Sequence, residues 1–291
     1  MLWQATNSET DSIFLLDPMT CEASVALPHP DGGNFNGAGL EIDVVGNLWT
    51  VGQESGNAYL IESGLPTFSD VPWLTVSPTE ATVAPDESID IDITVDSTGL
   101  EPGVYRALVV ILTNDPDNST FQVPVTLVVP TFQQGVDAGG GATTALNGDF
   151  YAADRGYGSG AYGYLGTSSN KSTTAAIAGT EDDGLYQDAR IGMTSYRFDV
   201  PDGTYKVDLR FAEITNVKVG GRKFDVSLEG AVVLPGFDIM AVAGKNTALD
   251  RTFIVTVSDG HLDVAFKPQR GDKPIINAIL VTGLPEGAPG T

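Results

Sequence analysis

The 291-residue chain predicts an all-β protein, arranged as tandem β-sandwiches behind a short N-terminal blade of strands. Three observations carry this. Apolar and polar residues alternate with period two, as in SIDIDITVD at 88–96, where Ile89, Ile91, Ile93 and Val95 interleave with Asp90, Asp92, Thr94 and Asp96. Short β-rich runs are separated by turn signals such as Pro-Asp-Gly and Ser-Asp-Gly. No segment shows a helical period of any length.

Residues 1–64 contain an internal echo. Leu2-Trp3 recurs as Leu48-Trp49, and SETDSIFLLD (8–17) recurs as GQESGNAYLIES (52–63), a spacing of about 45 residues that suits a four-stranded propeller blade. Strands are expected at IFLLDP, ASVALP, GLEIDVVGNLWTVG and NAYLIES, with Gly46-Asn47 closing a hairpin. The segment resembles the last blade of a bacterial β-propeller. One blade cannot bury both of its faces, so it is read as a remnant that leans on another surface.

A second module spans 72–129. The strands SIDIDITVD, VYRALVVILT and FQVPVTLVV are joined in part by the turn NDPDN (114–118), and the alternation in 88–96 places an apolar row on a sandwich face. With WLTVSP and GLEPGVYRALVVILTNDPDNSTFQVPVTL, this stretch resembles the immunoglobulin-like repeats of bacterial surface proteins, which implies a spacer.

The third module covers 135–283, after the linker PTFQQG (130–135). Its strands read as SYRFDVP, GTYKVDLRFAEI, RKFDVSLEG, ALDRTFIVTVSDG, HLDVAFKP and INAILVTG. GVDAGGG (135–141), TEDDGLYQDAR (180–190), YRFDVPDGTYKVDLRFAE (196–213), KFDVSLEG (223–230), FDIMAVAGKNTAL (237–249) and INAILV (276–281) together resemble the malectin-like carbohydrate-binding domains. The resemblance implies a β-sandwich that binds short glucose-containing oligosaccharides in a shallow aromatic cup at one end.

Pyranose C–H faces pack on aromatic rings while an acid or amide fixes the hydroxyls, so a working site needs both kinds of group. By the resemblance, the family's tyrosine after LYQxxR falls on Ile191, and its aromatic pair after FAE falls on Thr215-Asn216. The loop GYGSGAYGYLG offers Tyr157, Tyr162 and Tyr164, of which either Tyr162 or Tyr164 supplies the loop's ring, and Asp272 falls on the ligand-contacting aspartate. The candidate carbohydrate site is therefore Tyr157, Tyr162, Tyr164, Asn216 and Asp272. Losing three platforms at roughly 1–2 kcal/mol each weakens a micromolar site by about 10² to 10⁴, into the millimolar range.

Composition excludes several classes. With 38 acidic against 15 basic residues the net charge is -23, which repels nucleic acid and anionic membrane surfaces. A lone Cys21 leaves no intrachain disulfide and no cysteine zinc site, and no apolar run reaches a membrane span. The N-terminus lacks a signal peptide, so the chain is either cytosolic or cut from a longer secreted precursor. The only histidines, His29 and His261, lie in different modules.

Calcium donors occur in two turns, Asp115, Asp117 and Asn118, and Glu181, Asp182 and Asp183, without the spacing of a calcium loop; such acids more often cap turns. Asn118-Ser-Thr and Asn170-Lys-Ser are glycosylation sequons. The expectation is a non-catalytic, cofactor-free, extracellular or cell-surface protein. Its malectin-like domain recognises a glycan, and residues 1–64 offer contacts to other copies. The rival reading is a structural subunit of a cell-surface assembly or filament that binds no small ligand.

Overall fold

The computed structural model describes residues 2–5, 12–16, 22–28, 30, 40–42, 47–52, 55–61, 71–115, 118, 120–158 and 161–289. Cys21, His29, Gly46 of the expected hairpin and Asp117 lie outside the described residues. The chain divides into two compact units, residues 1–99 with 106–127, and residues 100–105 with 128–291.

In the first unit, β1 (Leu2–Ala5), β2 (Ser12–Leu16) and β3 (Ala23–Pro28) form one antiparallel meander. A second is formed by β4 (Leu40–Ile42), β5 (Leu48–Val51) and β6 (Ala58–Ile61). The two copies of the repeated Leu-Trp pair open β1, an edge strand, and β5, the central strand of its sheet. In β5 the burial alternates, with Leu48 and Thr50 inside and Trp49 and Val51 outside, as the period-two geometry of a strand demands.

Further along, β7 (Leu74–Ser77) pairs antiparallel with β8 (Asp92–Val95), and β9 (Gly103–Leu112) neighbours β10 (Thr120–Val129). The alternating segment at 88–96 forms a strand only from Asp92. Its apolar row was expected on a core face, but Ile89, Ile91, Ile93 and Val95 are exposed. Alternation decides which side chains share a face, while burial needs a second layer against that face. Here β7 and β8 form a sheet of two strands, separate from the pair β9 and β10.

The second unit contains β11 (Phe132–Asp137), β12 (Thr143–Thr144), β13 (Phe150–Ala153), β14 (Tyr162–Leu165), β15 (Ser169–Ser172), the single-turn helix α1 (Gly184–Gln187), β16 (Asp188–Ile191) and β17 (Ser195–Asp199). It continues through β18 (Gly203–Phe211), β19 (Arg222–Leu228), β20 (Ala231–Phe237), the short helix α2 (Ile239–Val242), β21 (Leu249–Val257), β22 (His261–Gly271), β23 (Ile275–Ile276) and β24 (Ala278–Leu284). A six-stranded sheet has the order β12-β13-β11-β24-β18-β21, and a five-stranded sheet the order β14-β17-β22-β19-β20. A small third sheet, β15-β16-β23, carries the segment after LYQ.

Why two large sheets form is visible in their side chains. Along β18, Tyr205, Val207, Leu209 and Phe211 are buried while Lys206, Asp208 and Arg210 point the other way. Along β19, Phe224, Val226 and Leu228 alternate in the same manner. These inward rows meet in one core, where the ring of Phe237 lies 5.0 Å from that of Phe211 and 5.8 Å from that of Phe224, both edge-on. The Pro-Asp-Gly turn before β18 is pinned by Tyr205, whose hydroxyl donates to the Pro201 carbonyl at 2.6 Å.

Truncating Phe224→Ala should cost about 3–5 kcal/mol, because the fully buried ring leaves a cavity among three other phenylalanines. Urea unfolding of the wild type and the variant measures it, and a loss below about 1 kcal/mol contradicts this packing.

Candidate functional site

The motif FAE ends β18 by turning a carboxylate inward. Glu213 is buried, and its Oε2 accepts from Arg222 Nε at 2.7 Å; the two side chains are 1% and 4% exposed. Burying two charges requires that their remaining donors and acceptors also be satisfied. Glu213 Oε1 accepts from the backbone N–H of Thr215 at 3.0 Å and from its hydroxyl at 2.6 Å. Arg222 spends its other nitrogens on Thr215 Oγ1 at 3.2 Å and on the Lys273 carbonyl. The Glu213 carbonyl accepts from Asn246 N–H at 3.0 Å.

Glu213 and Arg222 thus touch three loops, 214–216, 245–246 and 272–274: their charged groups hold the first and third, and the Glu213 backbone carbonyl holds the second. Asn216 sits on the first, where its Oδ1 accepts from Lys245 Nζ of the second at 2.6 Å. Asp272 sits on the third, exposed, with its backbone N–H donating to the Gly221 carbonyl at 2.8 Å.

The tyrosines form a separate cluster on β14. Tyr164 pairs with Tyr196 across to β17, and the Arg190 guanidinium lies 4.1 Å above the Tyr164 ring. Arg190 is held by Asp154 at 2.7 Å, and Asp154 also accepts from the Tyr196 hydroxyl at 3.0 Å and from Gly139 N–H at 2.6 Å. Burial, reinforced by the Asp154 carboxylate, holds the Tyr196 hydroxyl well above its ordinary pKa, so it is a hydrogen-bond donor throughout. Tyr162 donates to the Ala153 carbonyl at 3.0 Å and lies under the Arg155 guanidinium at 4.2 Å. Tyr157 donates to Asp199 at 2.7 Å.

Among the described residues, no hydrogen bond or ring contact joins these tyrosines to Asn216 or Asp272. The link is the segment Arg190-Ile191-Gly192. Arg190 carries Tyr164 at one end, and at the other Gly192 N–H donates to the Pro274 carbonyl at 2.9 Å. Gly192 has φ +87°, a left-handed backbone that disfavours any side chain, and a Cβ there would displace the flexible Lys273 side chain, whose Cδ would lie 2.8 Å away. Between Arg190 and Gly192, Ile191, in register with Ile275 of β23, is partly buried against the hydrophobic core.

Glu213, Arg222, Arg190 and Asp154 were not among the residues read as functional. The first three stand in the strings FAE, GRKFDV and LYQDAR, and Asp154 in FYAADRG, but an isolated charge does not reveal its partner.

In the 181–183 turn the aspartates accept from backbone N–H groups. Asp182 accepts from Leu146 N–H at 3.0 Å and Asp183 from Ile177 N–H at 3.2 Å. In the other turn, Asn118 Nδ2 donates to Asp115 Oδ2 at 3.4 Å. No group of three or more His, Cys, Asp or Glu among the described residues is arranged to hold a metal ion. His261 Nδ1 lies 3.0 Å from Asp199.

Replacing Arg222 by Met should destabilise the second unit by about 3–5 kcal/mol, because Glu213 is left as an uncompensated buried charge. Replacing Glu213 and Arg222 together by Gln and Met should cost less than Arg222→Met alone. Thermal or urea unfolding of the three proteins checks both the size and the order.

Comparison with known proteins agrees with this architecture. The malectin domain matches residues 133–285. Malectin-B of Xenopus laevis is 29% identical over 134 residues, covering 44% of this chain and 47% of that protein. Human malectin is 31% identical over 134 residues, covering 44% of each. An LRR receptor-like serine/threonine-protein kinase of Arabidopsis thaliana is 32% identical over 117 residues, 35% of this chain and 11% of the kinase. The matched part thus spans about half the length of the malectins and a tenth of the kinase.

Among solved structures, a calcium binding mutant of Bacteroides uniformis beta-glucuronidase 2 superposes with a TM-score of 0.50 at 21% identity, over 67% of this chain and 24% of that one. That likeness concerns the fold alone. With 133–285 of its 291 residues matched, the chain belongs to the malectin-domain family.

Proposed function

We propose that this is a non-catalytic, extracellular recognition protein whose malectin domain binds carbohydrate weakly at the loop end of its sandwich. An immunoglobulin-like stretch at 72–129 acts as spacer behind a propeller-like remnant at 1–64. The observation that carries the binding reading is the segment 190–192. It connects the Tyr164 ring, stacked on Arg190, to the loop that presents Asp272, and so supplies an apolar platform and an exposed acid on neighbouring supports. Asn216 adds an amide beside Lys245. With Ile191 and Thr215 in place of aromatic platforms, affinity belongs in the millimolar range.

A second reading keeps a structural role in a surface assembly. It is favoured by the exposed apolar residues Ile93 and Val95 on a two-stranded sheet, with Ile89 and Ile91 exposed just ahead of it. Solution mass separates the two: a monomer at high micromolar concentration counts against assembly.

Calorimetry with glucose oligosaccharides, guided by a glycan array, should show binding that Tyr164→Ala and Asp272→Ala each weaken about tenfold. Absence of binding at millimolar ligand, with the domain folded, overturns the carbohydrate reading.

A further inference from the structure

A buried carboxyl lies close enough to Asp154, the acid that anchors the tyrosine cluster, to feel its charge, and takes no part in the site described above. Asp137 ends β11, in register with Ala153 of β13 on one side and Ala278 of β24 on the other. It is 3% exposed, and its Oδ1 is enclosed without a hydrogen-bond partner. Its other oxygen is roofed by the glycine turn, since a Cβ on Gly140 would fall 2.3 Å from Oδ2. Only glycine at that position leaves space for the carboxyl.

The charged groups around it offer no compensation. From β16 comes Asp188, itself partly buried, and from the residue after β13 comes Asp154; both raise the energy of a charge on Asp137. The nearby cation, Arg190 of β16, is committed to Asp154 at 2.7 Å. The flanking residues on β13 and β24, Ala153 and Ala278, carry no charge. An enclosed carboxylate with no donor and two acidic neighbours is a costly species, whereas the neutral acid is tolerated.

We propose that Asp137 is a proton-operated latch: in the folded domain it is held as the neutral acid, and loss of its proton to solvent loosens the turn Ala138–Gly141 and the tyrosine platform that this turn supports. The mechanical route is explicit. The turn closes on Asp137 through Gly140 N–H donating to its carbonyl at 3.1 Å. Gly139 N–H then holds Asp154 Oδ2 at 2.6 Å, and Asp154 N–H donates to the Gly140 carbonyl at 3.1 Å. Asp154 anchors Arg190, and Arg190 carries the Tyr164 ring at 4.1 Å. A carboxylate that pushes the Gly140 roof outward therefore disturbs Tyr164 through two hydrogen bonds and one ion pair.

The direction with pH follows from linkage. Burial, with Asp188 and Asp154 adding to it, pushes the Asp137 carboxyl up to about 7 in the folded state, from 3.8 as a free side chain. The folded domain therefore holds a proton that the unfolded chain has already released, so stability falls as pH rises from about 4 to about 7 and is level above that. The general acidity of the chain adds a pH dependence of its own, so the informative quantity is the difference between wild type and Asp137→Asn.

The test is carboxyl-carbon NMR of the aspartate-labelled protein from pH 4 to 9, with thermal melts of the wild type and Asp137→Asn over the same range. Asp137 should titrate near neutrality, and the Tyr164 ring signals should move with the same midpoint. Between pH 5 and pH 8 the wild type should lose on the order of 5 °C more in thermal midpoint than the variant. A midpoint near 4 for Asp137, Tyr164 signals that do not follow it, or equal pH dependence of the two melts overturns the latch. If Asp137→Asn does not fold, the wild-type titration alone decides, because the assigned Asp137 resonance reports the proton directly. None of these readings requires a sugar, so a failure of the latch and a failure of the carbohydrate reading are distinguishable.

Discussion

The loop end of the sandwich is organised by a buried ion pair. Glu213 and Arg222 are out of water, and a pair in that position is tolerable only if every remaining lone pair and N–H finds a partner. The partners come from two separate loops, through Thr215 and the Lys273 carbonyl. Satisfying two charges therefore fixes the relative placement of Arg222 and a loop 51 residues further along the chain. The FAE stretch is a turn whose conformation is dictated by electrostatics. Loosening either loop strands a buried charge.

The tyrosine cluster follows the same logic with a different geometry. Arg190 is flanked by an acid on one side and a ring on the other, and its planar guanidinium suits both at once. Asp154 in turn collects donors from Gly139, Arg190 and Tyr196. A ring held this way is preorganised, which lowers the entropic cost of stacking a ligand on it. Ile191 and Thr215, by contrast, are not aromatic and offer little flat surface.

Much of the malectin domain was legible because its strands are half-buried and amphipathic. In β18 and β19 the apolar residues recur every second position, and each of those residues lies in the core. In GVDAGGG, glycine is required by close approach, of Gly139 to the Ala189 backbone and of Gly140 to the Asp137 carboxyl. In 88–96 the same kind of alternation misled. Its face was readable, but the layer expected to cover it is not packed there, and the row is exposed.

By itself, the sequence determined the all-β class and the alternation that sets the inward face of strands such as β18 and β19. These are local properties, set by backbone geometry and side-chain polarity within a few residues. Only the tertiary structure decided which charges meet: Glu213 with Arg222, Arg190 with Asp154, and Asp137 with no donor at all. Such pairings depend on strands brought together by the fold, across separations that no local pattern encodes. A carboxylate reads the same in a sequence whether it will be capped, paired or enclosed, and burial alone turns that identity into three different chemistries.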